Sequence, residues 1–314
     1  MVWRRYFLDG IHPFVQLLLL ASLMLIFSSV LTLLGMYLVR PLFGITTLDK
    51  VMQAAIEQPL MVAENANHIN ALKLVQLLAS LGMFLIPALI FAYLKFPQGD
   101  YLYLSARPWW LFAVVGTLVL FTAVPAVGWL YELNKKLELP PSWATLQEAI
   151  DAAAHTNEQL TIAFLATPRP PDLLINLIVI ALIPAIGEEL LFRGCLFQLL
   201  LEWFRKGHVA VWLSAAVFSL VHGDVYAFLP RLVLGGLLAY LFLWTNNLWV
   251  PIIAHALYNG VQVLLAFLHD HGWLAYDVRS QEPFSWPAVA VSTALFAALL
   301  YALYRLVLER KFIY

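Results

Sequence analysis

"ALIPAIGEELLFRGCLFQLL", residues 181–200, is apolar enough to lie in a bilayer, yet Glu188, Glu189 and Arg193 fall within six of its residues. A carboxylate or guanidinium near a bilayer centre costs roughly 2.5–3.5 kcal/mol on insertion scales. The apolar run around them covers 172–203 and puts Glu188 about 16 residues from either end. Snorkelling to an interface does not explain a charge at that depth.

The rest of the chain fits a membrane setting. Of 314 residues, 62% are hydrophobic and 12% charged, against about 25% charged in an average soluble protein. A soluble core could not absorb that apolar surface. The expected fold is all-α, a polytopic integral membrane helical bundle with about eight transmembrane helices. A bilayer asks about 20 apolar residues of each; they are expected near 14–38, 71–95, 109–131, 172–203, 209–222, 231–246, 249–268 and 286–307. A net charge of −1 gives no reason to expect a nucleic-acid partner, and the single cysteine, Cys195, excludes an internal disulfide. Arg4 and Arg5 precede a long first span with no small-residue cleavage site, which reads as a start-transfer helix.

With eight spans, Arg4, Arg5, Lys95, Arg107, Arg205, Lys206, Arg305, Arg310 and Lys311 all fall on one side. The positive-inside rule then makes both termini cytoplasmic, with the net acidic loop 132–171 on the far side. Within the two long outer loops, "TTLDKVMQAAIEQ" and "SWATLQEAIDAAAHTNEQL" read as short interfacial helices. Thr47-Leu48 and Ala54-Ala55 recur as Thr145-Leu146 and Ala152-Ala153, and Ile86-Pro87-Ala88 recurs as Ile183-Pro184-Ala185. A weak parallel duplication and chance in a low-diversity sequence both account for that. The expected division is an N-terminal membrane region, 1–170, a core of four spans, 171–268, and a C-terminal loop and last span, 269–314.

On a helix, Glu188 and Glu189 point about 100° apart. Glu189 and Arg193 are i, i+4 with the acid on the N-terminal side, the better order for a pair. Glu189–Arg193 therefore reads as structural, and Glu188 faces something else. Pro184 removes a backbone bond just upstream and should bend the helix. Phe218 and His222 are i, i+4 in "FSLVHGD", as are His255 and Asn259 in "HALYN". A lone apolar-face histidine is usually a hydrogen-bonded core residue. Here a glutamate, two histidines and an asparagine sit mid-span on three helices, and such groups usually face one interior cavity. The remaining polar positions read as structural: His269 and His271 in a solvated loop, Asp224 with Arg231 as a possible pair, and Gly235-Gly236 for close helix packing.

Glu188-Glu189-x-x-x-Arg193, Phe218-x-x-x-His222 and His255-x-x-x-Asn259, in that order, resemble the three motifs of the CAAX protease and bacteriocin-processing enzyme (CPBP) family. The resemblance covers 171–265 and implies an intramembrane glutamic endopeptidase. It implies that Glu188 and His222 activate a water while His255 and Asn259 form the oxyanion hole, with Glu189, Arg193 and Phe218 structural at the site. No cofactor and no metal are expected. The expected partners are a membrane protein or peptide substrate and the lipid bilayer, and the expected location is the cell (inner) membrane of a bacterium. Two rivals remain open at this point. One is a zinc metalloprotease with Glu188, His222 and His255 as ligands, although no H-E-x-x-H is present. The other is a non-hydrolytic membrane protein: a transporter, a proton relay or a scaffold.

Overall fold

The computed structural model describes residues 7–96, 99–105, 107, 110–136, 139–280 and 283–311. Arg4 and Arg5, and the side chains of Arg310 and Lys311, lie outside the described residues. The fold is an all-α polytopic membrane bundle, and no β-strand occurs among the described residues.

In chain order the helices are α1 (Pro13–Phe43), α2 (Leu48–Glu57), α3 (Pro59–Glu64), α4 (Ala66–Lys95), α5 (Trp110–Lys135) and α6 (Ala144–Leu165). After these come α7 (Pro170–Phe204), α8 (Gly207–Val221), α9 (Phe228–Thr245), α10 (Trp249–Asp270) and α11 (Trp286–Lys311). Among the described residues, seven helices are long and apolar enough to cross a membrane: α1, α4, α5, α7, α9, α10 and α11. The remaining expected span is α8, a shorter apolar helix. Each expected span falls on an apolar helix, seven of them long enough to cross.

The loop segments are helical as well, and α6 is longer than the short helix expected, with 22 residues. α2 has an apolar face that buries Val51 and Ala55.

Two of the long helices are interrupted in the same way. A π-helical turn, Leu81–Leu85, precedes Ile86-Pro87-Ala88 in α4, and another, Leu177–Leu182, precedes Ile183-Pro184-Ala185 in α7. The reason is steric. A proline inside a helix has no N–H to give and crowds the carbonyl four residues back, here Met83 and Ile180. Both carbonyls lie within the wider π turn, where the bonding runs i→i+5. The order of long apolar helix, helical connection and π-kinked long helix thus occurs twice. The second copy carries Glu188, Glu189 and Arg193; 97 positions earlier the first has Phe91, Ala92 and Phe96.

The chain splits into two compact units. The first comprises Met1–Gly99, His155–Leu191 and Asn259–Ser280; the second comprises Asp100–Ala154, Phe192–Tyr258 and Gln281–Tyr314. In the first unit α1 packs along α4, and α7 packs along the π turn of α4. Gly187 sits at that contact, where an added Cβ would stand 3.1 Å from Phe84 Cβ. Val51, Ala55, Val62, Ile69, Leu72 and Ala163 form a separate apolar cluster under the loop helices. In the second unit, α5 packs against α9 and α11, and α8 packs against α9. Its core includes Leu120, Leu238, Leu241, Val250 and Leu303.

Candidate active site

In the first unit, Glu188 and Glu189 end the short α-helical turn Ile183–Glu189, with a π turn before it and another, Leu190–Leu196, after it. π turns inside α-helices are frequent at functional sites. Glu188 is 7% exposed and Glu189 fully buried. The other motif residue of this unit is Asn259, half-buried on α10. Gly260, next to it, lies in ordinary contact with Leu177 and Ala181 of α7.

In the second unit the motif residues gather around one ring. Phe218 packs edge-on against Phe192, with centroids 5.1 Å apart, and lies 4.7 Å from the His222 ring and 6.3 Å from the His255 ring. The Arg193 guanidinium carbon stands 4.8 Å from the same ring centroid, a cation–π contact. The phenylalanine of the second motif is therefore the packing surface for both histidines and the arginine.

Arg193 is fully buried, and its Nη2 donates to the Gly235 carbonyl oxygen at 2.7 Å. The glycine leaves little room to spare at that approach. A Cβ on Gly235 would stand 3.0 Å from Phe218 Cδ1 and 3.5 Å from Arg193 Nη2. Gly235-Gly236 does serve helix packing, as its composition suggested. Its second use, as the acceptor for Arg193, had no sequence signal, because no periodicity links α7 to α9.

His222 follows the last turn of α8, and Gly223 takes the left-handed φ of +67° that turns the chain. His222 Nδ1 lies 2.7 Å from the Phe218 carbonyl oxygen. A carbonyl only accepts, so in the neutral ring Nδ1 carries the proton and Nε2 keeps the lone pair. The sequence spacing put Phe218 and His222 on one face; the backbone oxygen adds a fixed tautomer.

The connector after His222 is held from several sides within this unit. Ser219 donates to the Phe228 carbonyl at 2.7 Å, and Arg231 pairs with Asp224 at 3.3 Å. Asn134 Nδ2 donates to the Tyr226 carbonyl at 3.0 Å, Gln147 Nε2 donates to the Tyr226 hydroxyl at 2.7 Å, and that hydroxyl donates to Asp151. The bond to Asp151 pushes the Tyr226 hydroxyl above its ordinary range, with burial adding to the effect. Lys135, Pro140, Gln147, Asp151 and Tyr226 line part of a cavity of about 500 Å³ beside this clamp.

Among the described residues there is no group of three or more His, Cys, Asp or Glu side chains that could hold a metal ion. His269 and His271 are engaged otherwise: His269 Nε2 is 3.6 Å from Asp277, and His271 Nδ1 donates to the Phe267 carbonyl at 2.9 Å.

Residues 170–261 match the family model described as type II CAAX prenyl endopeptidase Rce1-like. The segment belongs to the CAAX protease family. All seven motif residues, Glu188 to Asn259, fall inside the match. The chain is 33% identical over 92 residues to the putative membrane peptidase YdiL of Bacillus subtilis, covering 28% of this chain and 36% of that protein. It is 29% identical over 96 residues to the membrane-embedded CAAX protease MroQ of Staphylococcus aureus, covering 29% of this chain and 38% of that protein. A third relative, the uncharacterized protein YpbD of Bacillus subtilis, is 29% identical over 90 residues, 27% of this chain and 43% of its own. The chain thus matches less than half the length of each of these relatives. No solved structure matches the chain.

Proposed function

We propose that this protein is an intramembrane endopeptidase that hydrolyses a peptide bond of a membrane-associated protein or peptide. The observation that carries the reading is that Glu188, His255 and Asn259 lie on long apolar helices inside the CAAX protease match, and that His222, expected mid-span, instead directly follows the last turn of the apolar α8 within the same match. Buried carboxylates and imidazoles are costly in such helices, and function is the usual reason for keeping them.

In this scheme each of the four side chains has its own part. His222, protonated on Nδ1, offers the Nε2 lone pair to a water, and Glu188 removes that water's proton as its oxygen attacks the scissile carbonyl. The tetrahedral oxyanion accepts from an imidazole N–H of His255 and the amide NH₂ of Asn259, and each such donor is worth about 10²–10³ in rate. Glu188 then passes its proton to the departing amine, the C–N bond breaks, and the carboxyl product leaves with the water's oxygen. Every step uses groups of this chain, with no metal and no cofactor. Arg193 and Phe218 hold the surround, and Glu189 balances Arg193.

In this reading 171–268 is the catalytic core, flanked by the membrane regions 1–170 and 269–314. Both termini are cytoplasmic, in the cell membrane of a bacterium. The test compares protein termini in membranes containing the wild type with those containing Glu188→Ala. New termini present only with the wild type support peptidase activity. Identical termini at equal expression would overturn it.

A further inference from the structure

The first unit holds a second polar group that the peptidase scheme does not use. Lys73 on α4 and Asn176 on α7 are 2% and 0% exposed. Among the described residues, Lys73 Nζ, both side-chain polar atoms of Asn176 and Asn70 Oδ1 are buried without a hydrogen-bond partner. Orphaned buried groups of this kind are rare and call for an account.

Charge sharpens the problem. The groups whose fields act on Lys73 are Asp172 and Arg169. Asp172 is already spent: its Oδ2 accepts from Arg169 N and Nε at 3.0 and 2.9 Å, and its Oδ1 accepts from Arg169 Nη2 at 3.0 Å. Two cations therefore share one carboxylate, and Lys73 is the one without contact to it. Water could satisfy the hydrogen bonds here but would leave the charge uncompensated, and an unpaired buried charge costs several kcal/mol.

The position of the cluster says which anion suits it. Lys73 neighbours Asp172 near the starts of α4 and α7, and Phe84 meets Gly187 farther along both, so the two helices run parallel. Lys73 and Asn176 each lie about 10 Å beyond the start of their helix, at 1.5 Å rise per residue. That depth adjoins the headgroup layer, and two helix N-termini facing the same way add a positive field. Arg169 also donates to the Ala63 and Glu64 carbonyls at 3.3 and 3.4 Å, tying the end of α3 to the same place.

We infer that Lys73, Asn176 and Asn70 form a binding site for a phosphate monoanion that carries a neighbouring hydroxyl or amine donor. The phosphate oxygens take the Lys73 ammonium and Asn176 NH₂ donors, and the neighbouring donor serves the Asn176 and Asn70 oxygens. A phospholipid headgroup and free phosphate share this chemistry. The site is independent of the peptidase reading and stands whether or not the protein cleaves anything.

The test uses the full chain in detergent, with thermal melting and native mass spectrometry in the presence of phosphatidylglycerol, diacylglycerol or inorganic phosphate. Phosphatidylglycerol should raise the melting temperature and remain bound, while diacylglycerol, which lacks the phosphate, should do neither. An equal response to inorganic phosphate would make free phosphate the source. Lys73→Met should retain the phosphate ligand about tenfold more weakly. Asn176→Asp supplies the missing charge from within, so it should raise the melting temperature without lipid and abolish the response to phosphate. This second variant decides the matter if Lys73→Met does not fold. The inference is overturned if the wild type responds to neither phosphate compound, or if either folded variant responds as the wild type does.

Discussion

Arg193, fully buried, donates from Nη2 to the carbonyl oxygen of Gly235 at 2.7 Å. The contact joins the first motif helix to α9, and Phe218, stacked beneath the guanidinium, joins both to the histidines. The glycine is thus a test point for the architecture. Gly235→Val should cost about 1–3 kcal/mol through overpacking against Phe218, and its loss of turnover should exceed its loss of stability. Gly260→Ala is the contrast. An added Cβ there meets only Leu177 at 3.7 Å and Ala181 at 3.9 Å, so the helix-propensity gain of about 1 kcal/mol should stabilise the protein. Melting temperatures of the two variants, measured side by side, check the pair.

The proposed scheme gives the adjacent glutamates different work. Glu188→Gln should abolish turnover with the melting temperature nearly unchanged, because the amide keeps the shape and cannot take the proton. Glu189→Gln should instead lower stability by several kcal/mol, since it leaves a buried arginine without its balancing charge. Paired melts and activity assays distinguish them. A stable, inactive Glu189→Gln beside an active Glu188→Gln would reverse the two roles.

Much of this was legible in the sequence. Long apolar windows fixed the seven long helices and α8, because a span is defined by the hydrophobicity and length that the sequence displays directly. The i, i+4 spacing of Phe218 and His222 likewise survives in their ring contact. The π turns were not legible. Hydropathy registers apolar content, and the change from i→i+4 to i→i+5 bonding around Pro87 and Pro184 leaves no apolar signature. The acceptor of Arg193 was hidden for a different reason: it is a backbone oxygen, which every residue has. Lys73 and Asn176 carry no joint signal because each sits alone in its own stretch, and only the packing of α4 beside α7 puts Lys73 in the field of Asp172, one turn before Asn176.

Topology follows from the charge bias. Reporter fusions at residue 150, in α6, and at the C-terminus should give opposite readouts, the former outside and the latter cytoplasmic. Equal readouts would require an odd number of crossings between them to be lost or gained.

The loop after α10 should show a defined acid response. Burial pushes the Asp277 carboxyl up, but hydrogen bonds and charge from Arg279 outweigh it and hold it below its ordinary 3.8. A depressed carboxylate contributes stability above its unfolded value and loses it as pH falls through the folded one. The difference in melting temperature between wild type and Asp277→Asn should therefore be constant from neutral pH to about 4 and close at lower pH. Thermal scans at stepped pH measure it, and a difference that closes near neutral pH would assign the effect to another group.

The central claim is that Glu188, and no metal, activates the water. Purified protein, with a peptide substrate found from the membrane comparison, should be assayed after phenanthroline and EDTA treatment beside Glu188→Gln, with elemental analysis of both. The account predicts undiminished cleavage by the chelated wild type and none by Glu188→Gln. Stoichiometric zinc, with activity lost on chelation and restored by added metal, or cleavage by Glu188→Gln at the wild-type rate, would contradict it.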